Sequence, residues 1–252
     1  MTGPLAYIGG KNRLATRLIS LFPKHTTYVE PFAGGAQVFF HKEPSRVEVL
    51  NDLDGEIVNF FRVCQWHYEE LIRYLRFCVT SRKLYEQLVA MDPNTLTDVQ
   101  RAGRLFYLQK NCYGGLVLKR NYHYGVIQRP NYRLERIPEV LRKTSERLLG
   151  VQIECLPYEE VLERYDRPTT LFYLDPPYYA RKLYRFNFAE HDFQVLAERL
   201  RKLKGRFILS LNDVPEVRKM FSPFHMKKIR LAYSTPPGSD RRYGEVIISN
   251  FA

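Results

Sequence analysis

Apolar residues along this chain fall into two rhythms, and the switch between them outlines the fold. Short apolar runs, each closed by a breaker, occur at Thr27-Tyr28-Val29-Glu30, Val47-Glu48-Val49-Leu50, Leu171-Phe172-Tyr173-Leu174, Arg206 to Leu211 and Glu245 to Ser249. Nearly continuous runs of this length predict strands buried on both faces of a largely parallel sheet. Helical spacing appears at Leu14, Leu18 and Leu21, opens again at Gln37-Val38-Phe39-Phe40, and takes over from Val58 to Arg76 and from Leu96 to Leu108. The segment from Tyr113 to Ile127 reads as a β-hairpin with a polar tip. The pattern is α/β at both ends of the chain and mostly helical between them.

The run ending at Leu174 stops abruptly in Asp175-Pro176-Pro177-Tyr178. Two prolines forbid continuation of the strand, so Asp175 lies at its carboxyl end, where open α/β sheets bind ligands. A carboxylate and a backbone carbonyl, that of Pro176, suit the two hydrogens of an exocyclic amine on a flat base. They would stabilise positive charge developing on that nitrogen during alkylation, and the prolines aim the carbonyl in advance. Tyr178 offers a ring face for stacking. Read alone, the tetrapeptide serves equally well as an ordinary strand cap and turn.

A second turn changes that balance. Glu30-Pro31-Phe32-Ala33-Gly34-Gly35-Ala36 joins a strand to a helix, and its small residues let a ligand approach the backbone. After the next strand comes Asn51-Asp52-Leu53-Asp54, with Asp52 placed to take ribose hydroxyls. The glycines lack the G-x-G-x-x-G spacing, so an adenosine cofactor without a pyrophosphate fits better than a dinucleotide. Gly9-Gly10-Lys11 is too short for a phosphate-binding loop and by itself reads as an N-terminal turn.

Charge points to a polyanionic partner. The chain carries a net charge of +12 with 45% hydrophobic residues, enough for a sizeable core. Between Arg101 and Arg147 there are eleven Lys or Arg against three Glu, interleaved with tyrosines. A solvated basic face is the plain reading of such a run, and a DNA contact the sharper one. The loop around Arg241 and Arg242 reads equally as linker or as a phosphate contact. Tyr184 to Phe188 is unusually aromatic for a loop; burial against the core is its first reading and lining of a base pocket its second. Cys64, Cys78, Cys112 and Cys155 form no C-x-x-C pair, and no Pro-Cys dipeptide offers a cytosine-C5 nucleophile. No metal site is expected. Neither a membrane span nor a signal peptide is expected, so the reading is a soluble cytoplasmic protein.

Taken together, these motifs resemble the D12 class of N6-adenine DNA methyltransferases, the group that includes the Dam enzymes. The resemblance rests on Tyr7-Ile8-Gly9-Gly10-Lys11, Glu30 to Ala36, Asn51-Asp52, Asn111 to Leu116, Asp175 to Tyr178 and Glu245 to Asn250, in that order along nearly the whole chain. It implies a Rossmann-like class I methyltransferase sheet, S-adenosylmethionine as methyl donor and a flipped adenine in double-stranded DNA as acceptor. Residues 1–56 and 161–252 are then the catalytic domain, and 57–160 an inserted, mostly helical target-recognition subdomain. The cofactor site implied is Tyr7, Lys11, Glu30, Phe32, Ala33, Gly34, Gly35, Asp52, Leu53 and Asp175; the catalytic group is Asp175, Pro176, Pro177 and Tyr178. DNA contacts are expected from Tyr113, Lys119, Arg120, Asn121, Arg129, Arg241 and Arg242. Members that read GATC carry a basic residue and a Pro-Phe-Gly segment where this chain has Leu118-Lys119-Arg120 and Gln128-Arg129-Pro130, which leaves the target sequence open. A monomer or weak dimer is expected, and a restriction endonuclease partner is compatible but not indicated. Rival readings at this point are a cytosine-N4 methyltransferase, an RNA adenine methyltransferase and a catalytically silent DNA-binding protein.

Overall fold

The computed structural model describes every residue except 8, 13, 113, 114, 116, 118–120, 124–130 and 231–243. Among the described residues, β1 (Thr27–Glu30), β2 (Val47–Asn51), β3 (Gln152–Glu154), β4 (Thr170–Leu174), β5 (Arg206–Asn212), β6 (His225–Arg230) and β7 (Gly244–Ser249) form one sheet, in the order β3-β2-β1-β4-β5-β7-β6. β1 pairs in parallel with both β2 and β4, while β7 runs antiparallel to its neighbours β5 and β6. The chain leaves β1 in one direction across the sheet and later returns on its other side at β4. That reversal opens a crevice beyond the carboxyl ends of β1 and β4, where Glu30 and Asp175 stand.

The two faces of the sheet are covered separately. Alternation along β4 sends Leu171 and Tyr173 into one core and Phe172 and Leu174 into the other. The first core is closed by α1 (Ala15–Ile19), α2 (Gln37–His41), α3 (Gly55–Trp66), α4 (Tyr68–Leu75), α5 (Arg82–Ala90), α6 (Asp98–Asn111) and α7 (Ile137–Leu148). The second is closed by α8 (Tyr158–Tyr165), α9 (Glu190–Lys202) and α10 (Pro215–Met220). The span 57–160 thus supplies helices to the core under one face and returns β3 to the sheet edge.

Local signals explain where these elements begin and end. Thr97 and Gln100 form a reciprocal capping box that starts α6, with the Thr97 N–H donating to Gln100 Oε1 at 3.0 Å. The helical stretch expected from Val58 to Arg76 is two helices, broken at His67, which leaves helical geometry at φ −132° and ψ 31°. The break re-aims the second piece so that Leu71 and Leu75 reach the core. At the base of the expected hairpin an antiparallel bridge joins Cys112 and Tyr122, and the exposed Asn121 lies beside it. Tyr113, Lys119, Arg120, Arg129, Arg241 and Arg242 lie outside the described residues.

Asn51 pins the crevice open. Its buried side-chain amide donates to the carbonyls of Pro31 (2.9 Å) and Leu156 (3.0 Å), and its Oδ1 accepts from the Leu156 N–H at 2.8 Å. One side chain therefore fixes the segments that follow β1, β2 and β3. Truncation leaves one buried and two part-buried backbone groups without their partner, so Asn51→Ala is expected to destabilise the fold by about 2 kcal/mol, measured by urea denaturation.

Candidate active site

A cavity of about 540 Å³ fills the crevice, and all ten residues expected at the cofactor site line it. Its floor is the turn after β1. Gly34 has φ +48°, and a Cβ there would meet ring carbons of Tyr7 at 3.3 Å, so this position needs glycine for both backbone and space. Asp52, at the end of β2, holds the turn in place: Oδ2 accepts from the Gly34 N–H and Oδ1 from the Asp54 N–H, each at 2.8 Å. Burial pushes the Asp52 carboxyl up to about 6 although these two N–H groups pull it down. Each oxygen keeps a further lone pair for a ligand hydroxyl.

The opposite wall comes from segments far away in sequence. Leu156, Pro157 and Tyr158 follow β3, and the aromatic loop Tyr184 to Phe188 closes the rim. Tyr184 stacks on Tyr7 with centroids 6.1 Å apart, and Phe188 packs against Phe32 and Tyr158. This loop lines the cavity, while the reading of burial against the core holds only in part: Phe188 is half-buried against it and Phe186 is exposed. Arg185 reaches Asp54 at 3.5 Å across the mouth. The wall after β3 carried no signal of its own, because a three-residue strand is too short to announce the loop behind it.

Beneath the cavity lies a buried polar cluster that joins the N-terminal loop to β4, β5 and β7. Lys11, 4% exposed, places its ammonium 2.8 Å from Asp175 Oδ1, 3.6 Å from Glu245 Oε1 and 2.7 Å from the Tyr178 hydroxyl oxygen. Tyr178 in turn donates to Glu245 Oε1 at 2.5 Å, and Ser210 on β5 donates to Asp175 Oδ1 at 2.8 Å. Burial opposes the Lys11 charge, but Asp175, Tyr178 and Glu245 outweigh it and hold the ammonium well above its ordinary range. Burial pushes the Asp175 carboxyl up against the pull of Lys11 and the Ser210 hydroxyl.

The tetrapeptide is divided by this cluster. Both Lys11 and Ser210 engage Oδ1 of Asp175, so among the described residues Oδ2 is bonded by no protein group, and the side chain remains 22% exposed at the cavity wall. Pro177 also lines the cavity; Pro176 is buried behind it. Tyr178 is anchored by its hydroxyl, with the Lys11 ammonium 4.8 Å from its ring centroid, and it does not line the cavity. The next residue is clamped to β5, where the Tyr179 N–H donates to Asn212 Oδ1 at 2.9 Å and Asn212 Nδ2 donates back at 3.2 Å. Ser210 and Glu245 escaped the sequence reading because each reads as an ordinary strand residue.

A second cavity, also about 540 Å³, shares Tyr7, Gly10 and Gln37 with the first and opens on the helical side. Lys110, Arg133 and Arg136 stand around it, and among the described residues none of the three has an ion-pair partner. No Asp or Glu occurs between Asp98 and Glu135, so the undescribed residues in that interval bring no carboxylate either.

Sheet order, the single reversed strand and a ligand crevice floored by a glycine turn define a Rossmann-like methyltransferase. The chain belongs to the D12 class N6 adenine-specific DNA methyltransferases, whose family model matches residues 7–235, and it is accordingly a DNA adenine methyltransferase that takes its methyl group from S-adenosylmethionine. It is 27% identical to the Type II methyltransferase M1.LlaDCHI of Lactococcus lactis subsp. cremoris, over 97% of this chain and 94% of that one. It is 24% identical to the DNA adenine methylase of Escherichia coli K12, over 96% and 93% of the two chains. An rRNA methylase structure from Streptococcus thermophilus aligns over 95% of this chain and 96% of that one at 11% identity, but its TM-score of 0.37 bears no weight on fold or substrate. Family membership decides for adenine N6 and for DNA against the cytosine and RNA readings. Among the described residues no helix is long and apolar enough to cross a membrane.

Glu30 supplies a pH test of the cavity floor. It is 2% exposed, accepts the Tyr28 hydroxyl at 2.7 Å, and burial pushes its carboxyl up to about 8 despite that bond. A carboxyl raised in the folded state binds a proton that the unfolded chain has already released, so it subtracts stability as pH rises from about 4.5 to about 8. Glu30→Gln keeps the acceptor and removes the titration. Its melting temperature is expected to fall less than wild type across that window, as read by calorimetry at several pH values.

Proposed function

We propose that the protein methylates a flipped adenine at a specific DNA site by direct transfer, with Asp175 as the catalytic residue that holds the amino group. The observation that carries this reading is the division of labour on the Asp175 carboxylate: Oδ1 is fixed by Lys11 and Ser210, and Oδ2 is left to the cavity.

The residues that floor the cavity fit the donor. Asp52 stands at the end of β2 with lone pairs for ribose hydroxyls, the Gly34 turn admits close backbone approach, and Phe32 and Tyr158 supply apolar walls. Bound S-adenosylmethionine supplies an electrophilic methyl group. Stacked in the duplex, an adenine cannot present N6 to this crevice, so the base must leave the helix. Asp175 Oδ2 and the Pro176 carbonyl then take the two amino hydrogens and draw the nitrogen lone pair out of conjugation with the ring. As the nitrogen–methyl bond forms, the bond to sulfur breaks, and the proton shed from nitrogen leaves by way of Asp175. A carboxyl raised by burial is suited to that passage. The Tyr178 hydroxyl is held by Lys11 and Glu245, which fixes the tetrapeptide behind the cavity wall.

Backbone contact falls to the second cavity and the basic insert. Three cations with no ion pair among the described residues, beside a loop shared with the cofactor crevice, suit phosphates flanking the target. Tyr113, Lys119, Arg120, Asn121 and Arg129 are assigned to the groove and Arg241 and Arg242 to phosphates, with 57–160 as the span that contains the target-reading unit. The Type II name of the Lactococcus relative supports a place beside a restriction endonuclease, and one chain, acting as monomer or weak dimer, carries both cavities.

Asp175→Ala is expected to lower single-turnover methylation at saturating S-adenosylmethionine by roughly 10² to 10³. Near wild-type turnover in that variant contradicts the mechanism. For DNA, the double variant Arg133→Ala, Arg136→Ala is expected to flatten the slope of log affinity against log salt by roughly 2, about 0.9 for each phosphate no longer neutralised. An unchanged slope removes these residues from the interface.

A further inference from the structure

Glu245 enters the mechanism above only as an anchor for the Tyr178 hydroxyl, although it is 2% exposed and belongs to the same charged cluster as Asp175. Its position is informative because Lys11 poses an electrostatic problem. An ammonium 2.8 Å from Asp175 fixes the carboxylate but cancels much of the negative charge that the reaction needs, since positive charge builds on N6 as the methyl arrives. Glu245 also approaches that ammonium, with Oε1 3.6 Å away at the start of β7. Tyr178 bridges the pair, its hydroxyl 2.7 Å from Lys11 and 2.5 Å from Glu245.

We infer that Glu245 is a positioning residue whose charge offsets Lys11, so that Lys11 fixes the geometry of Asp175 without neutralising it. This inference rests on the methyltransferase reading and deepens it. With both carboxylates ionised and Lys11 protonated, the cluster carries one net negative charge at the cavity wall; without Glu245 it carries none. The groups that face Asp175 are Lys11 from the N-terminal loop, Tyr173 and Tyr178 on either side of it in the chain, Ser210 on β5, Glu245 on β7 and Glu30 on β1. Burial pushes the Glu30 carboxyl up to about 8, so Glu30 is not the group that offsets Lys11 at pH 7. Its charge also raises the Asp175 carboxyl, which gives the inference a signature separate from turnover.

A charge cycle distinguishes this role from simple packing. Glu245→Gln preserves volume and is expected to lower kcat roughly 10-fold or more with little change in KM for DNA. In the same variant without cofactor, the carbon-13 resonance of the Asp175 carboxyl is expected to titrate at lower pH than in wild type. Adding Lys11→Gln removes the charge that Glu245 offsets, so the double variant is expected to recover turnover relative to Glu245→Gln alone at saturating cofactor. Glu245→Asp, which keeps the charge, is expected to retain most of kcat. Two losses that simply multiply in the double variant, or an Asp175 titration unmoved by Glu245→Gln, overturn the inference. If wild type itself forms no N6-methyladenine, the underlying reading fails instead, and the titration still reports on Glu245.

Discussion

The structure turns on one buried ammonium. Lys11 joins an N-terminal loop to Asp175 after β4, and through Tyr178 and Glu245 to the start of the last strand in the chain. Burying that charge is tolerable only because oxygen atoms from three parts of the chain surround it, and loss of any one leaves an uncompensated group in a dry site. The same contacts bring Tyr7 over the glycine turn and, with it, one wall of each cavity. Fold closure and catalytic geometry are therefore coupled: the sheet must pair β5 with β7 before the carboxylate can be held.

Around that point the molecule divides its tasks by layer. The sheet sets distances, because β1, β4 and β5 end side by side and present Glu30, Asp175 and Asn212 along one edge. Polar side chains lock the turns that leave those strands: Asp52 for Gly34, Asn51 for Pro31 and Leu156, Asn212 for Tyr179. None of these bonds touches the reacting atoms in the proposed chemistry. They keep backbone carbonyls and carboxylates aimed before substrate arrives, which is where electrostatic catalysis gains most.

Much of this was legible in the sequence, for a physical reason. Strands inside the sheet are continuous apolar runs closed by prolines or by a polar turn, so β1, β2, β4, β5 and β7 stood out, and Asp175 and Asp52 followed as the residues just beyond two of them. The strands that were missed, β3 and β6, are the two edges of the sheet. β3 has three residues, and β6 reads His-Met-Lys-Lys-Ile-Arg, since an edge strand needs one buried side and charge protects the other. Site residues divide in the same way. Those in turns carried a composition signal, whereas Ser210 sits between two leucines and Glu245 opens a strand, and neither shows its partner until the sheet is assembled. The pairing of Lys11 with residues 175 and 245 is likewise a property of strand order, which periodicity does not contain. For Tyr178 the sequence pointed to the ring; the structure adds that its hydroxyl is part of the anchor.

The central claim is that this crevice methylates adenine N6 in DNA and that Asp175 is the group that makes it do so. The most direct measurement is single-molecule sequencing of genomic DNA from a methylation-deficient host expressing the wild-type protein, beside one expressing Asp175→Ala at the same level. The account predicts N6-methyladenine at a defined motif in the first genome and its loss in the second. An unmarked genome from a wild-type protein that is folded and binds cofactor, or a mark that persists in the variant, contradicts it.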